Sequence, residues 1–371
     1  MSTTEYNFKE ITDNLIAAYA KHCLALAQRV SISKLALKKF NSLQARDKPL
    51  IQQVLSISNC MDRYNDPVAL DKVLDTIDLP KIYLAIDKRM SEDKNTKFAY
   101  EDYLVMELLH YFKRDFFKWI TKPKCPVCHE SGDNISSIGT AAPPAVNPDE
   151  ISRIEKYSCS KCGTSIEFPR YNNASKLLDT RCGRCGEWVN CFLLILKSLL
   201  ATNSRVRYVW NHEDHVWCEY YSTSLKRWVH LDPCEDAFDN PTLYCQNWGK
   251  KMSFVIGIGE GYVIDLSDKY ITVPGKQIDK RTLISNARLV DTFITLINYE
   301  KLLRYYIEFI DIQPSPGHQK LLNLYYDIIL MNNVEKLQIS QRHPSPSTNS
   351  DMPKGRQTGG PEWTKNRGED G

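Results

Sequence analysis

A cysteine, a histidine and an aspartate stand in that order at Cys185, His215 and Asp232. A thiol, an imidazole and a carboxylate can serve as nucleophile, base and the acid that orients the base. The chemistry would be attack on an acyl carbon. An ordinary thiol, with a pKa of about 8.5, is mostly protonated at neutral pH, so such a site must favour the thiolate. A helix N-terminus and a nearby imidazolium both do so. Three cysteines compete for the role. Cys191 falls well inside an apolar helical run and reads as a small core residue. Cys182 and Cys185 form a C-x-x-C pair, which could be half of a metal site. Cys185 is the better nucleophile because it stands closest to the helix start, with Gly183 and Gly186 permitting a tight turn around it.

The elements that must position these groups can be read nearby. An apolar run covers 192–200, and residues 187–200 read as a buried helix. Residues 206–209 and 216–221 are β-rich or alternate, and read as strands. His215 and Asp232 would then lie on or beside adjacent strands. Arg207 and Glu219 flank His215 on neighbouring strand positions and could pair to stiffen the site. His230, two residues before Asp232, shares its strand face. Trp188 and Trp228 read as packing residues, while Trp217 suits either a core or a sugar face. Asn172 and Asn173 could line a cleft or donate to an oxyanion. An equal alternative is a loop ending in an asparagine N-cap.

A second cluster lies upstream. Cys125-Pro-Val-Cys128 and Cys159-Ser-Lys-Cys162 are two C-x-x-C knuckles, and four thiolates in two short turns suit a closed tetrahedral Zn2+ site. A mixed site using Cys182 and Cys185 is the rival. Residues 131–148, rich in Ser, Gly, Ala and Pro, read as a loop.

The 371 residues carry a net charge of +3, too small to argue for nucleic acid or a charged membrane surface. No run approaches the roughly 20 apolar residues of a membrane span. The polar start has no secretory h-region. With three C-x-x-C pairs, metal and thiol chemistry in a reducing compartment fits better than disulfides. Five segments follow: a helical region at 1–121, a zinc-binding subdomain at 122–168, a catalytic core at 169–275, helices at 276–340 and a tail at 341–371. In the first, Phe8, Ile11, Leu15, Tyr19 and Leu26 recur at helical spacing, and a second helix covers 100–119. Cys23 and Cys60 read as incidental thiols. Further helices are expected at 283–310 and 321–338, and a hairpin at 248–258 and 262–266. The tail, almost without apolar residues except Trp363, should be disordered alone.

Gly-Arg-Cys-Gly-Glu-Trp at 183–188, Arg-Tyr-Val-Trp at 207–210, Asp-His-Val-Trp at 214–217 and Trp-Val-His-Leu-Asp at 228–232 resemble the cytosolic peptide:N-glycanase family of the transglutaminase-like superfamily. The resemblance runs from about Cys125 to Tyr270, and the tail at 354–371 looks like the fungal form. It implies an α+β, transglutaminase-like (papain-like) core. It makes Cys185 the nucleophile, His215 the base and Asp232 the acid, and favours Cys125, Cys128, Cys159 and Cys162 as ligands of one structural zinc. The expected reaction is hydrolysis of the amide joining a glycosylated Asn to its first sugar, leaving Asp, on misfolded N-glycoproteins. The expected partners are a proteasome-linked ubiquitin-receptor shuttle protein and a segregase ATPase. The expected setting is the cytoplasm, with the nucleus as a second location. The loop at 200–205 looks a few residues longer than the family's.

Overall fold

The computed structural model describes residues 32–93, 97–200, 206–310 and 354–371, with short pieces at 10–11, 14, 18, 332 and 334–339. The expected first helix (except Ile11), Cys23, the loop at 201–205, most of the helix at 321–338 and the start of the tail lie outside them. The chain divides into two units.

The unit that carries the candidate site comprises residues 60–255, 270–277 and 347–371. Its central helix, Cys185–Leu199, is preceded by helices at Pro67–Thr76, Leu79–Glu92, Tyr100–Tyr111 and Ala174–Thr180. Two of these begin at an aspartate whose side chain accepts from a first-turn N–H, Asp66 from Val68 and Asp78 from Lys81. Strands at Val206–Asn211, His215–Ser222, Arg227–Asp232 and Ala237–Phe238, here β6 to β9, form an antiparallel meander in sequence order. The central helix is apolar nearly all round. Val189, Phe192, Leu193, Leu194, Ile195 and Leu196 are fully buried between β6, β7 and the helices at 67–76 and 174–180.

The helix expected over 100–119 ends at Tyr111. A π-turn, Phe112–Phe116, follows, and the two-residue strand Lys118–Trp119 (β1) pairs in parallel with Cys182–Gly183 (β5), just ahead of Cys185. Phe112, Phe117 and Trp119 all pack against Trp188, so the change of direction serves an aromatic cluster under the central helix. Asp102 clamps the other end of this layer. It accepts from Tyr220 Oη (2.5 Å), Ser222 Oγ (2.6 Å) and the backbone of Ala99 (2.7 Å).

Residues 135–171 form a separate antiparallel sheet of three strands, Ile135–Ala141, Ile151–Cys159 and Ser165–Tyr171, here β2 to β4. The expected loop at 131–148 is therefore partly strand. Strand β2 is an exposed edge with a bulge between Ser137 and Gly139, so it lacks the apolar alternation that marks a half-buried strand.

The other unit comprises residues up to 59, 256–269 and 278–346. Helices Ile32–Asn41 and Lys48–Ile57 pack on a long helix, Arg288–Ile310, which also covers the strand Val263–Asp265. That strand pairs antiparallel with Val255–Ile258, giving the expected hairpin with a shorter first strand. Asn298 joins helix and hairpin through both its amide atoms, accepting from Val263 N (2.6 Å) and donating to Val263 O (2.9 Å). Among the described residues, no helix is long and apolar enough to cross a membrane.

Candidate active site

Cys185 is the first residue of the central helix, as its place in the sequence suggested. The residue before it, Arg184, is extended (φ −114°, ψ −167°), and its N–H donates to Glu187 Oε2 at 3.0 Å, closing the first turn. Gly183 is required here, since a Cβ at that position would collide with the Glu187 side chain. The Arg184 side chain reaches back to β3, where its Nη2 meets Glu155 Oε2 at 2.7 Å. Arg170 bridges Glu155 and Glu187, at 2.8 Å from Nη1 and 2.7 Å from Nη2 respectively. The helix start is thus bolted to the three-stranded sheet by a partly buried network of two arginines and two glutamates. Burial alone would raise the Glu155 carboxyl. The hydrogen bonds from Arg184, Tyr157 and Arg170 outweigh it and bring the group to about 2. Cys182 and Cys191, the rival nucleophiles, stand in the short strand before the helix and in its fully buried interior.

His215 opens β7 after a turn that puts Asp214 in the left-handed region (φ 58°). Its side chain is fully buried, and Nε2 lies 2.9 Å from Asp232 Oδ2, at the end of β8. Asp232 Oδ2 also accepts from Tyr244 Oη at 3.0 Å, and Oδ1 accepts from the Cys234 backbone N–H at 2.9 Å. Burial would raise the Asp232 carboxyl, but the His215 hydrogen bond and charge hold it well below the usual range. An ionised carboxylate only accepts, so the imidazole proton is assigned to Nε2. Nδ1 is then the lone-pair nitrogen, and it has no hydrogen-bond partner among the described residues. Burial, followed by the charge of Arg356, lowers the His215 pKa. Burial raises that of the Cys185 thiol, with Arg356 opposing. Both directions favour a neutral thiol and a neutral imidazole at rest.

Residues 136–233 match the model of the transglutaminase-like superfamily, and residues 200–307 match that of the Rad4 transglutaminase-like domain. A peptide-N(4)-(N-acetyl-beta-glucosaminyl)asparagine amidase of Debaryomyces hansenii is 49% identical over 99% of this chain and 98% of its own length. The chain belongs to this amidase family. A Candida albicans member is 43% identical over 100% of this chain and 98% of its own length. A Rattus norvegicus member is 40% identical over 65% of this chain and 37% of its own length. Among solved structures, a Rad4–Rad23 complex bound to a 6-4 photoproduct aligns with a TM-score of 0.40 at 10% identity, covering 80% of this chain and 60% of that one.

Beside this amidase-family core, the four cysteines expected as ligands come together. The Sγ atoms of Cys125, Cys128, Cys159 and Cys162 all lie within 4.8 Å of one another, with cross-knuckle separations of 3.5 and 3.4 Å. A tetrahedral metal with bonds of about 2.3 Å needs sulfur edges of about 3.8 Å, so the set could hold one ion after small adjustment. Cys182 and Cys185 are not part of the cluster.

Arg207 and Glu219 are cross-strand partners and form a fully buried ion pair, with Tyr270 Oη donating to the same glutamate. The Arg207 guanidinium lies 4.1 Å from the Trp228 ring centroid, so Trp228 serves this pair. Trp217 is fully buried, 5.8 Å from the His215 ring and 4.2 Å from that of Tyr244, and so walls one side of the imidazole. Asn173 takes the capping role. Its Oδ1 accepts from Lys176 N at 3.1 Å and its Nδ2 donates to Pro148 O at 3.2 Å, so its amide is spent away from the nucleophile. Asn172 is held through its backbone, with Glu150 and Arg63.

The tail is the main correction. Residues 354–371 fold onto the catalytic unit, with a short helix at Pro361–Asn366. Gly355 N donates to Asn247 O at 2.8 Å and Gly371 N to Trp248 O at 3.1 Å, fastening both ends. Arg356 and Glu369 are buried in between, and Glu369 also meets Lys250 Nζ at 2.6 Å. Low hydropathy hid this because the tail docks through charge pairs and one tryptophan. Residue typing also missed Tyr244, Trp248, Arg356 and Glu369. The likeness of 354–371 to the fungal form was the one signal that could have pointed to the last two.

Proposed function

We infer that this chain is an amidase that removes N-linked glycans from misfolded glycoproteins, cutting between the Asn side chain and its first GlcNAc and leaving Asp. The near full-length likeness to named amidases carries the reading, and the buried His215–Asp232 pair, with Cys185 as the first residue of its helix, supplies a means. His215 Nδ1 takes the thiol proton as Sγ attacks the side-chain carbonyl carbon. Backbone N–H groups of the helix's first turn, which have no intrahelical acceptor, are suited to the developing oxyanion. The imidazolium, held by Asp232, gives its proton to the departing glycosylamine nitrogen, and a thioester remains. Water then attacks, with the same imidazole as base, and releases Asp and free thiol. No facing carboxylate pair for sugar–sugar cleavage is needed.

The four-cysteine cluster fits zinc: the ligands are all thiolates, the set is closed, and one structural ion would bind the two knuckles together. Elemental analysis should return one zinc per chain. By the family resemblance, a proteasome-linked ubiquitin-receptor shuttle protein and a segregase ATPase are the proposed partners, and the cytoplasm the proposed location.

The test is a denatured glycopeptide, read by mass for Asn-to-Asp conversion. Cys185→Ala should abolish release while the thermal transition stays in place. Normal turnover by that variant would reject the assignment.

A further inference from the structure

We propose that Arg356, carried on the C-terminal segment, is a positioning residue for the amidase reaction: its caged guanidinium supplies a fixed positive charge behind the Cys185–His215 pair. This rests on the amidase reading above.

The cage is specific. The Arg356 side chain has no solvent exposure. Its guanidinium carbon lies 4.9, 5.0 and 4.7 Å from the ring centroids of Trp119, Trp248 and Trp363. Trp248 is itself only 5.0 Å from the His215 ring, so one indole separates cation from imidazole. Nη1 is fixed by Glu369 Oε2 at 2.8 Å, and the Arg356 N–H by Glu369 O at 2.7 Å. Nε and Nη2 find no hydrogen-bond acceptor among the described residues. Burying a cation with two donors unspent is costly unless it does something the hydrophobic alternative could not.

The charges around the pair show what that is. Cys185 faces Arg356 and Arg367 on the positive side and Asp214 and Glu187 on the negative. His215 faces Arg356 against Asp232 and Glu369. Arg356 is the largest charge contribution to both, after burial, and it pushes both groups toward their deprotonated forms. Glu235, near Arg356 Nε at 3.8 Å, is raised by burial and by the charge of Asp232 to about 7, so it offsets the cation only in part. Lys250 is bound to Glu369. The tail therefore brings a paired but incompletely neutralised cation to the one place where thiolate formation needs it.

The experiment uses the full chain with Arg356→Gln, Arg356→Lys and Glu369→Gln. Glycopeptide release and alkylation of Cys185 by iodoacetamide are both followed against pH. Arg356→Gln should cut kcat/KM by about ten- to a hundredfold, one to two decades of rate. Both limbs of its pH profile should move to higher pH, and the alkylation curve with them, while Arg356→Lys keeps the limbs near wild type. Lost activity with unmoved limbs would mean the tail is merely structural and would overturn the proposal. If Arg356→Gln does not fold, Glu369→Gln decides: the acid limb moves to lower pH as His215 loses a neighbouring anion, and an unmoved limb overturns the idea. Should the wild-type chain release no glycan, the amidase reading fails by itself, and the alkylation curves still judge Arg356.

Discussion

Replacing Asp232 by Asn should damage the enzyme far more than the loss of one charge suggests. The reason lies in which oxygen can become nitrogen. Oδ1 accepts from the Cys234 backbone N–H at 2.9 Å, a partner that cannot turn into an acceptor. The oxygen of the new amide must stay there, so its NH2 falls where Oδ2 now faces His215 Nε2 and Tyr244 Oη. Tyr244 can rotate its hydroxyl to accept. The imidazole can accept only by moving its proton to Nδ1, the nitrogen that must receive the thiol proton. The variant is therefore locked in the wrong tautomer, and the imidazolium loses its counter-ion as well. A tautomer lock of this kind costs about 10³–10⁴ in kcat, or about 4–5.5 kcal/mol of transition-state stabilisation. Tyr244→Phe removes one donor from the same carboxylate and leaves the tautomer alone, so it should cost about tenfold at most. The assay is glycopeptide release under single turnover, with thermal melts to show that both variants fold. If Asp232→Asn loses no more than Tyr244→Phe, the carboxylate does not fix the imidazole and the proposed proton path is wrong.

Two further outcomes follow from buried charge. Arg207→Met strips Glu219 of its cation in a fully buried site and should cost about 3–5 kcal/mol in urea unfolding, while Arg207→Met with Glu219→Gln should recover part of that. A double variant no better than the single one would show that the pair is not the source. Glu155 sits at about 2 against an ordinary 4.5, so its stabilisation is fully present above pH 4.5 and fades as pH falls toward 2. Glu155→Gln should therefore be less stable by about 3 kcal/mol at pH 7, with the deficit to wild type shrinking below pH 4.5; a deficit constant with pH would refute the linkage.

The elements nearest the chemistry were legible because residue type and local pattern agreed there. The buried helix at 187–200 announced itself by the apolar run at 192–200, and His215 and Asp232 by the β-rich segments they open and close. The pairing of Arg207 with Glu219 could be foreseen, since antiparallel register puts them opposite. Illegible parts depend on distant sequence. Strand β2 is polar and exists because β3 offers it a ladder. Tyr244 gains a role only when a π-turn at Leu243–Asn247 points its hydroxyl at Asp232. The tail has no apolar period, and its order comes from partners more than a hundred residues earlier, such as Glu235, which accepts from the Gln357 and Thr358 backbones. Asn173 shows a choice that residue type left open: a cleft amide and an N-cap read alike in sequence, and the side chain takes the capping role.

The charged groups around Cys185 also narrow its proton path. Arg184 and Glu187 stand on either side of it in sequence, and a carboxylate so close could have been a general base. Both Glu187 oxygens are engaged, one by Arg170 Nε at 2.5 Å and the other by Arg170 Nη2 and the Arg184 N–H. Glu369 is held by Lys250 and Arg356, and Glu235 by the tail backbone. Each acid that could compete is therefore tied to a structural cation or donor. Among the described residues around Cys185, His215 Nδ1 is left as the buried lone pair without a partner. One base must then serve both half-reactions, taking the thiol proton first and the water proton second. Solvent exchange into the imidazole between them is restricted by the indoles of Trp217 and Trp248, both fully buried against its ring.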